Sequence, residues 1–347
     1  MEINKKKRLM TLIAIGLFLV IIVIFNKTFD SYKMRIFNLC GIYVILALGL
    51  NLINGFTGLF SLGHAGFMAV GAYTSALLTM SPDMKEMNFF MKPIVPFLAN
   101  VEVPFYIALL MGGIMAGLAG FLIGAPVLRL RDDYLAIATL GFGEIIRIIF
   151  TNTQSLTNGA LGLKGLPNTT NVWWSWGIAI VCIIFMVFLI KGSYGRAFKA
   201  IREDEIAAQA MGINLFKHKI LAFTIGSFLA GIGGALLAHL LGTIDPLMFR
   251  FILTFNIVLI VVLGGIGSIT GTVISAVVVT TLMEVLRVLD GSMNFGFIKI
   301  AAIPGLRMVV FSALLMIVIL FYQQGLMGTN EFTWDWFIDR KKRKKVS

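Results

Sequence analysis

The sequence predicts an all-α fold: a polytopic bundle of transmembrane helices, with about ten spans and eight as the minimum. Three observations carry this. Of 347 residues, 58% are hydrophobic and 13% charged, with a mean hydropathy of +0.92, whereas soluble domains lie near half apolar and a quarter charged. The apolar residues gather into runs close to the ~20 residues that cross a hydrocarbon core. The basic residues behind the net charge of +12 alternate with those runs in the way that the positive-inside tendency requires.

In chain order the runs are 9–26, 35–53, 59–80, 104–127, 134–150, 172–190, 219–241, 251–264, 269–288 and 303–322. The first follows the basic cluster Lys5 to Arg8, as a signal peptide would. It is long, however, and no small-residue cleavage site follows it, so it reads as an uncleaved helix. The fifth and eighth runs are short, and the third, eighth and ninth carry glycine breaks, which sets the minimum of eight. If 195–212 is cytoplasmic and ten spans alternate, both termini and the turn at Arg129 and Arg131 also fall inside. The inner set then holds 18 of the 29 Lys and Arg: four near the N-terminus, two in that turn, six across 191–219 and six near the C-terminus. Ten lie in the outer loops and span ends, and Arg147 is inside a span. The expectation is one transmembrane domain, 1–347, in a bacterial or archaeal cytoplasmic membrane, with both termini cytoplasmic, a polar loop at 195–212 and a basic tail at 328–347. Beside membrane spans such basic clusters contact anionic lipid rather than nucleic acid.

Trp173, Trp174 and Trp176 fall at the outer mouth of the sixth run as an aromatic belt, and Trp334 and Trp336 precede the basic tail as interfacial anchors. Gly113, Gly117, Gly120 and Gly124, and in the seventh run Gly226, Ser227, Ala230, Gly231 and Gly234, allow close helix packing within one chain or between subunits. Cys40 and Cys182 lie in apolar runs and are expected as free, buried thiols.

Four stretches carry chemistry. The first, 195–212, is the longest charge-dense interruption in the chain. Nothing between Arg196 and Gly212 breaks a helix, Lys199 and Glu203 are spaced to pair, and Gly212 is placed to end the helix. Ala207, Ala208 and Met211 form a small apolar stripe, with Arg196, Arg202, Glu203, Asp204 and Glu205 as its charged surroundings. The segment reads as one short amphipathic helix, either a plain loop or a dock for a soluble partner. The second and third stretches, 54–66 and 264–271, place Thr57, Ser61, Gly63, His64, Gly264, Gly265 and Ser268 among glycines at membrane depth. Irregular backbone survives there only when buried in protein or lining an aqueous cavity, so these residues are candidates for a translocation pathway. The fourth is Glu144 with Arg147, three apart on one helix face inside a span. Such a pair either locks helices together or lines a path.

The pattern Ala207-Ala208-x-x-x-Gly212 resembles the coupling-helix motif of ABC importer permeases, with Ile206 in the usual glutamate place and Glu205 one residue early. The longer string from Gly195 through Asn214 resembles the branched-chain amino acid ABC permeases, in particular their M-type subunit. Residues 61–67 with 71–78, and 134–147, are similar to further signatures of that family, although Leu59 stands where many members carry a polar residue. The resemblance covers about 36–327. It implies the ABC importer permease fold and import of branched-chain amino acids, with 195–212 as the coupling helix. It also implies four kinds of partner: ABC ATPase subunits, a second, unlike permease, an extracytoplasmic substrate-binding protein and membrane lipid. The chain itself carries no phosphate loop, metal-ligand cluster or nucleophile elbow. It is therefore expected to be no enzyme and to bind no cofactor, with ATP and magnesium held by the ATPase subunits. Related permeases for urea, short amides or other amino acids are the alternative. An ion-driven secondary transporter is disfavoured, because no second carboxylate lies well inside a span.

Overall fold

The computed structural model describes 30–130, 132–290, 293–295, 298–300, 305–321, 325–328, 330 and 331, with Gly16, Val20, 22–25 and Thr28 before them. Most of the first predicted run, Trp334, Trp336 and the basic clusters at both ends lie outside the described residues.

The other nine runs each coincide with a helix: α1 Ser31–Asn51, α2 His64–Thr79, α3 Phe105–Val127, α4 Asp132–Asn152 and α5 Val172–Lys191 come first. After the polar insert, which forms α6 Ser193–Glu203 and α7 Glu205–Ala210, come α8 Leu215–Leu241, α9 Phe251–Gly264, α10 Ile269–Val285 and α11 Leu306–Phe321. Side-chain caps set several starts: Asn171 accepts from Trp174 N–H, Asn214 from Lys217 N–H, and Ser268 from Gly271 N–H. Gly242, at φ 72°, ends α8 in the left-handed conformation.

Among the described residues six helices are long and apolar enough to cross a membrane: α1 with its extension, α3, α4, α5, α8 and α10. The helix α2 has 16 residues and α9 has 14. At 1.5 Å per residue these reach only ~24 and ~21 Å of a core ~30 Å thick. The third run was expected from residue 59, but α2 begins at His64. The missing turn is taken by the irregular stretch after α1, which continues as a π-helical turn, Leu52–Phe56.

The helix α8 is the centre of the bundle, packed against α1, α2 and α3. The two small-residue stripes meet here, inside one chain. A Cβ at Gly113 would lie 2.8 Å from the ring of Phe228, and one at Gly124 2.9 Å from Phe223. Close approach without a side chain is what holds helices together where lipid is as apolar as leucine. Cys40 and Cys182 are free and buried. Of the three tryptophans on α5, Trp173 is exposed but Trp176 turns inward, stacked on Phe37 and donating from Nε1 to the Phe37 carbonyl at 3.0 Å. It is therefore a buried packing residue and not part of a belt.

Connections expected on one side of the membrane do gather at one end. Leu163 pairs with Ile244 in a short antiparallel ladder, and Val95 N–H donates to the Ser155 carbonyl. Asn88 donates to the Lys164 carbonyl and accepts from its N–H. The short helix Pro82–Asn88 brings Lys85 into this cap, buried, its ammonium donating to the carbonyls of Leu98 and Val101. Burial pushes the Lys85 ammonium below its ordinary pKa, and nearby Glu102 opposes the shift.

Candidate functional site

At the other end of the bundle the three polar stretches meet. The segment 195–212 was expected as one helix, but it is two, broken at Asp204. That residue is extended, at φ −160° and ψ 113°, and its carboxylate accepts from the N–H groups of Ile206 and Ala207 at 2.8 and 3.0 Å. Aspartate gains more by capping a new helix than by continuing the old one, which composition alone does not reveal. The second helix ends as expected. Gly212, at φ 82°, closes it while Ile213 N–H donates to the Ala208 carbonyl.

The faces of α7 also differ from expectation. Ala208 points into the protein at 3% exposure, whereas Ile206 and Met211 are 82% and 83% exposed. Ala207 is exposed as well, as is Arg196 on α6. The available apolar surface is therefore Ile206, Ala207 and Met211, without Ala208. Lys199 does not pair with Glu203. Its ammonium sits 5.9 Å from the centre of the Phe56 ring, and Glu203 accepts instead from Arg202 at 2.5 Å. Glu205 forms an ion pair of 2.5 Å with Lys219, which ties α7 to α8. A cleft of about 470 Å³ opens beside α7, with Phe60, Leu130 and Ile206 on its walls.

Arg202 joins this surface to the membrane part. Its Nη1 donates to the Gly55 carbonyl at 3.2 Å. A Cβ at Gly267 would lie 2.6 Å from the same Nη1, and one at Gly58 3.0 Å from the Arg202 side chain. The guanidinium is thus wedged between the two glycine-broken stretches. Those stretches also touch each other through Asn51, fully buried at the end of α1. Its amide donates to the Ser268 carbonyl at 3.0 Å and to Thr272 Oγ1 at 2.7 Å, and its Oδ1 accepts from Gly267 N–H at 2.9 Å.

The candidate pathway residues are built into this joint. Thr57, Ser61, His64 and Ser268 are all buried. Thr57 Oγ1 donates to the Leu52 carbonyl, and Ser61 exchanges two hydrogen bonds with Asn54. Gly63 packs on Thr139 of α4, and His64 sits beside Gly49 of α1. The neighbouring N–H groups of Leu62 and Ala65 donate to Thr139 and Thr254, so the break is fastened to α4 and α9. Gly264 packs against the backbone of Gly271, and Gly265 takes φ 110°, a conformation that disfavours any residue with a Cβ.

Two partners in this joint, Asn51 and Glu331, were not singled out from the sequence, and Arg202 was named only among the charged surroundings of the 195–212 stripe. Asn51 is a polar residue at the end of an apolar run, a signal that was there to be read. Arg202 reads as one more surface charge. Glu331 accepts from the N–H groups of Ile269 and Thr270 at 2.6 and 3.0 Å, capping α10 from 61 and 62 residues away in sequence. No local pattern announces that contact.

Glu144 and Arg147 stand apart from the joint, at membrane depth on α4. Arg147 Nε donates to Glu144 Oε2 at 2.6 Å, and Glu144 Oε1 accepts from Phe251 N–H, at the start of α9, at 3.3 Å. The pair as spaced in sequence does form, and it bridges α4 to α9.

Residues 32–320 match the family described as the permease component of branched-chain amino acid transport systems. The chain is 35% identical over 280 residues to the high-affinity branched-chain amino acid transport system permease protein LivM of Escherichia coli K12, covering 71% of this chain and 61% of that one. It thus spans about three-fifths of that relative's length. The LivH permease protein of the same organism is 24% identical over 328 residues, covering 88% and 98% of the two chains. The ribose import permease protein RbsC of Haemophilus influenzae is 26% identical over 222 residues, covering 59% and 68%. No solved structure matches the chain.

Proposed function

The chain belongs to the family of branched-chain amino acid transport permease components, and from that premise we propose that it is the membrane subunit of an ATP-driven importer of branched-chain amino acids. In this reading it carries no ATPase activity and holds no cofactor. Separate ABC ATPase subunits bind ATP and magnesium and dock on α6 and α7, which puts that end of the bundle in the cytoplasm. An extracytoplasmic binding protein delivers substrate at the opposite cap, and a homologous, unlike permease completes the pathway.

The observation that carries the reading is the wedge of Arg202. An ATPase can drive transport only through contacts that differ between its states. A push on α7 reaches α6 across Asp204, and Arg202 touches both broken stretches at once. Displacing it shifts the ends of α1 and α10 together, through Asn51.

The test uses the exposed face of α7. Ile206→Arg places a charge where a partner would pack, outside the hydrocarbon and clear of the chain's own core. Expected results are normal membrane abundance, loss of ATPase co-purification and loss of ATP-driven leucine uptake. Ala208→Arg is a poorer test, since that site is filled by this chain. If Ile206→Arg retains its ATPase and transports normally, α7 is not the docking helix.

A further inference from the structure

Among the described residues Arg147 uses one of its five N–H donors. Nε pairs with Glu144, while among the described residues Nη1 and Nη2 make no hydrogen bond. The two side chains are 20% and 25% exposed, so they are reached from a face this chain leaves open. Ile145 and Ile148 on the same turns of α4 are exposed, as is Ile252, next in the chain to the Phe251 whose N–H reaches Glu144, and a Cβ at Gly141 would meet nothing within 4 Å. Arg147 lies five residues before the end of α4, about 8 Å along the helix.

A charged side chain turned to lipid at depth is unfavourable by about 2.5–3.5 kcal/mol, and such groups face protein or water. An arginine with its planar fork unoccupied is shaped for a carboxylate held by two parallel hydrogen bonds. Beside it, Glu144 is a carboxylate held on one oxygen by Arg147 and on the other by a single N–H at 3.3 Å, which leaves acceptor capacity for an ammonium group.

We propose that Glu144 and Arg147 form a substrate site for a zwitterionic amino acid: the Arg147 fork takes the α-carboxylate, Glu144 the α-ammonium, and Ile145, Ile148 and Ile252 the aliphatic side chain. This rests on the importer reading above and names the contact made within it. Each end of the zwitterion meets the opposite charge, so the ligand enters at no net change of charge. A carboxylic acid or an amine lacking the other group leaves one member of the pair uncompensated.

The test is ATP-driven uptake of radiolabelled leucine by the complete transporter in proteoliposomes. Arg147→Lys keeps the charge and the partner of Glu144 but removes the fork. It is expected at normal abundance with uptake down about tenfold or more, as loss of a charge-assisted contact implies. Glu144→Gln with Arg147→Gln removes both charges. A purely structural latch predicts that this double change restores uptake, because no uncompensated charge remains. The substrate site predicts restored abundance with uptake still down about tenfold or more. Uptake within about twofold of wild type in either variant overturns the site while leaving the importer reading intact. A wild-type transporter that moves no branched-chain amino acid overturns the importer reading and the site with it.

Discussion

Two arginine–carboxylate pairs of nearly equal length sit in different surroundings. Glu144–Arg147 spans 2.6 Å on α4 with both side chains a quarter exposed or less, and Glu203–Arg202 spans 2.5 Å with Glu203 71% exposed. Length alone would rank them together. Solvent separates them. The first pair lies inside a candidate membrane span, where an uncompensated charge is costly and each partner neutralises the other. In the second, Glu203 is solvated with or without its partner, and such exposed pairs contribute about 0–1 kcal/mol. What matters at Arg202 is its other side, against Gly55, Gly58 and Gly267.

That contrast can be broken by substitution, in descending order of effect. Arg147→Gln strands Glu144 and is expected to destabilise the protein by about 3 kcal/mol or more, seen as lost abundance and a lower melting temperature in detergent. Equal abundance would mean that the pair is as well solvated as the other one. Asn51→Ala leaves the Gly267 N–H unpaired and takes a donor from Thr272 Oγ1, a loss of about 2 kcal/mol on the same thermal assay. Arg202→Gln should cost only about 1 kcal/mol in stability. Uptake should nevertheless fall while ATPase subunits still co-purify, since it removes the link and not the dock. Uptake at the wild-type rate would show that the wedge transmits nothing. Glu203→Gln and Lys199→Ala are expected to change stability by less than about 0.5 kcal/mol and uptake not measurably.

Much of this was legible in the residues. Apolar runs fixed nine helices to within a few positions, because a helix in lipid must satisfy its own backbone and cannot stop at will. Gly212 was legible as a helix end, and Glu144 with Arg147 as a pair, because both follow from spacing along one helix. The break at Asp204 was not, because capping competes with helix continuation on terms set by neighbours. Nor was the inward turn of Ala208, since a six-residue helix can bury any face until its surroundings are known.

By itself, then, the sequence determined the class of solvent, the number and order of most helices, and the local pairs, all of which depend on residues within a few turns of each other. Only the tertiary structure decided that residues 54–66 and 264–271 form one joint, that Asn51, Arg202 and Glu331 fasten it, and that the small-residue stripes of α3 and α8 face one another. Those contacts span up to 221 positions in the chain. They arise because buried backbone groups at a broken helix must find partners, and the nearest in space are remote in sequence.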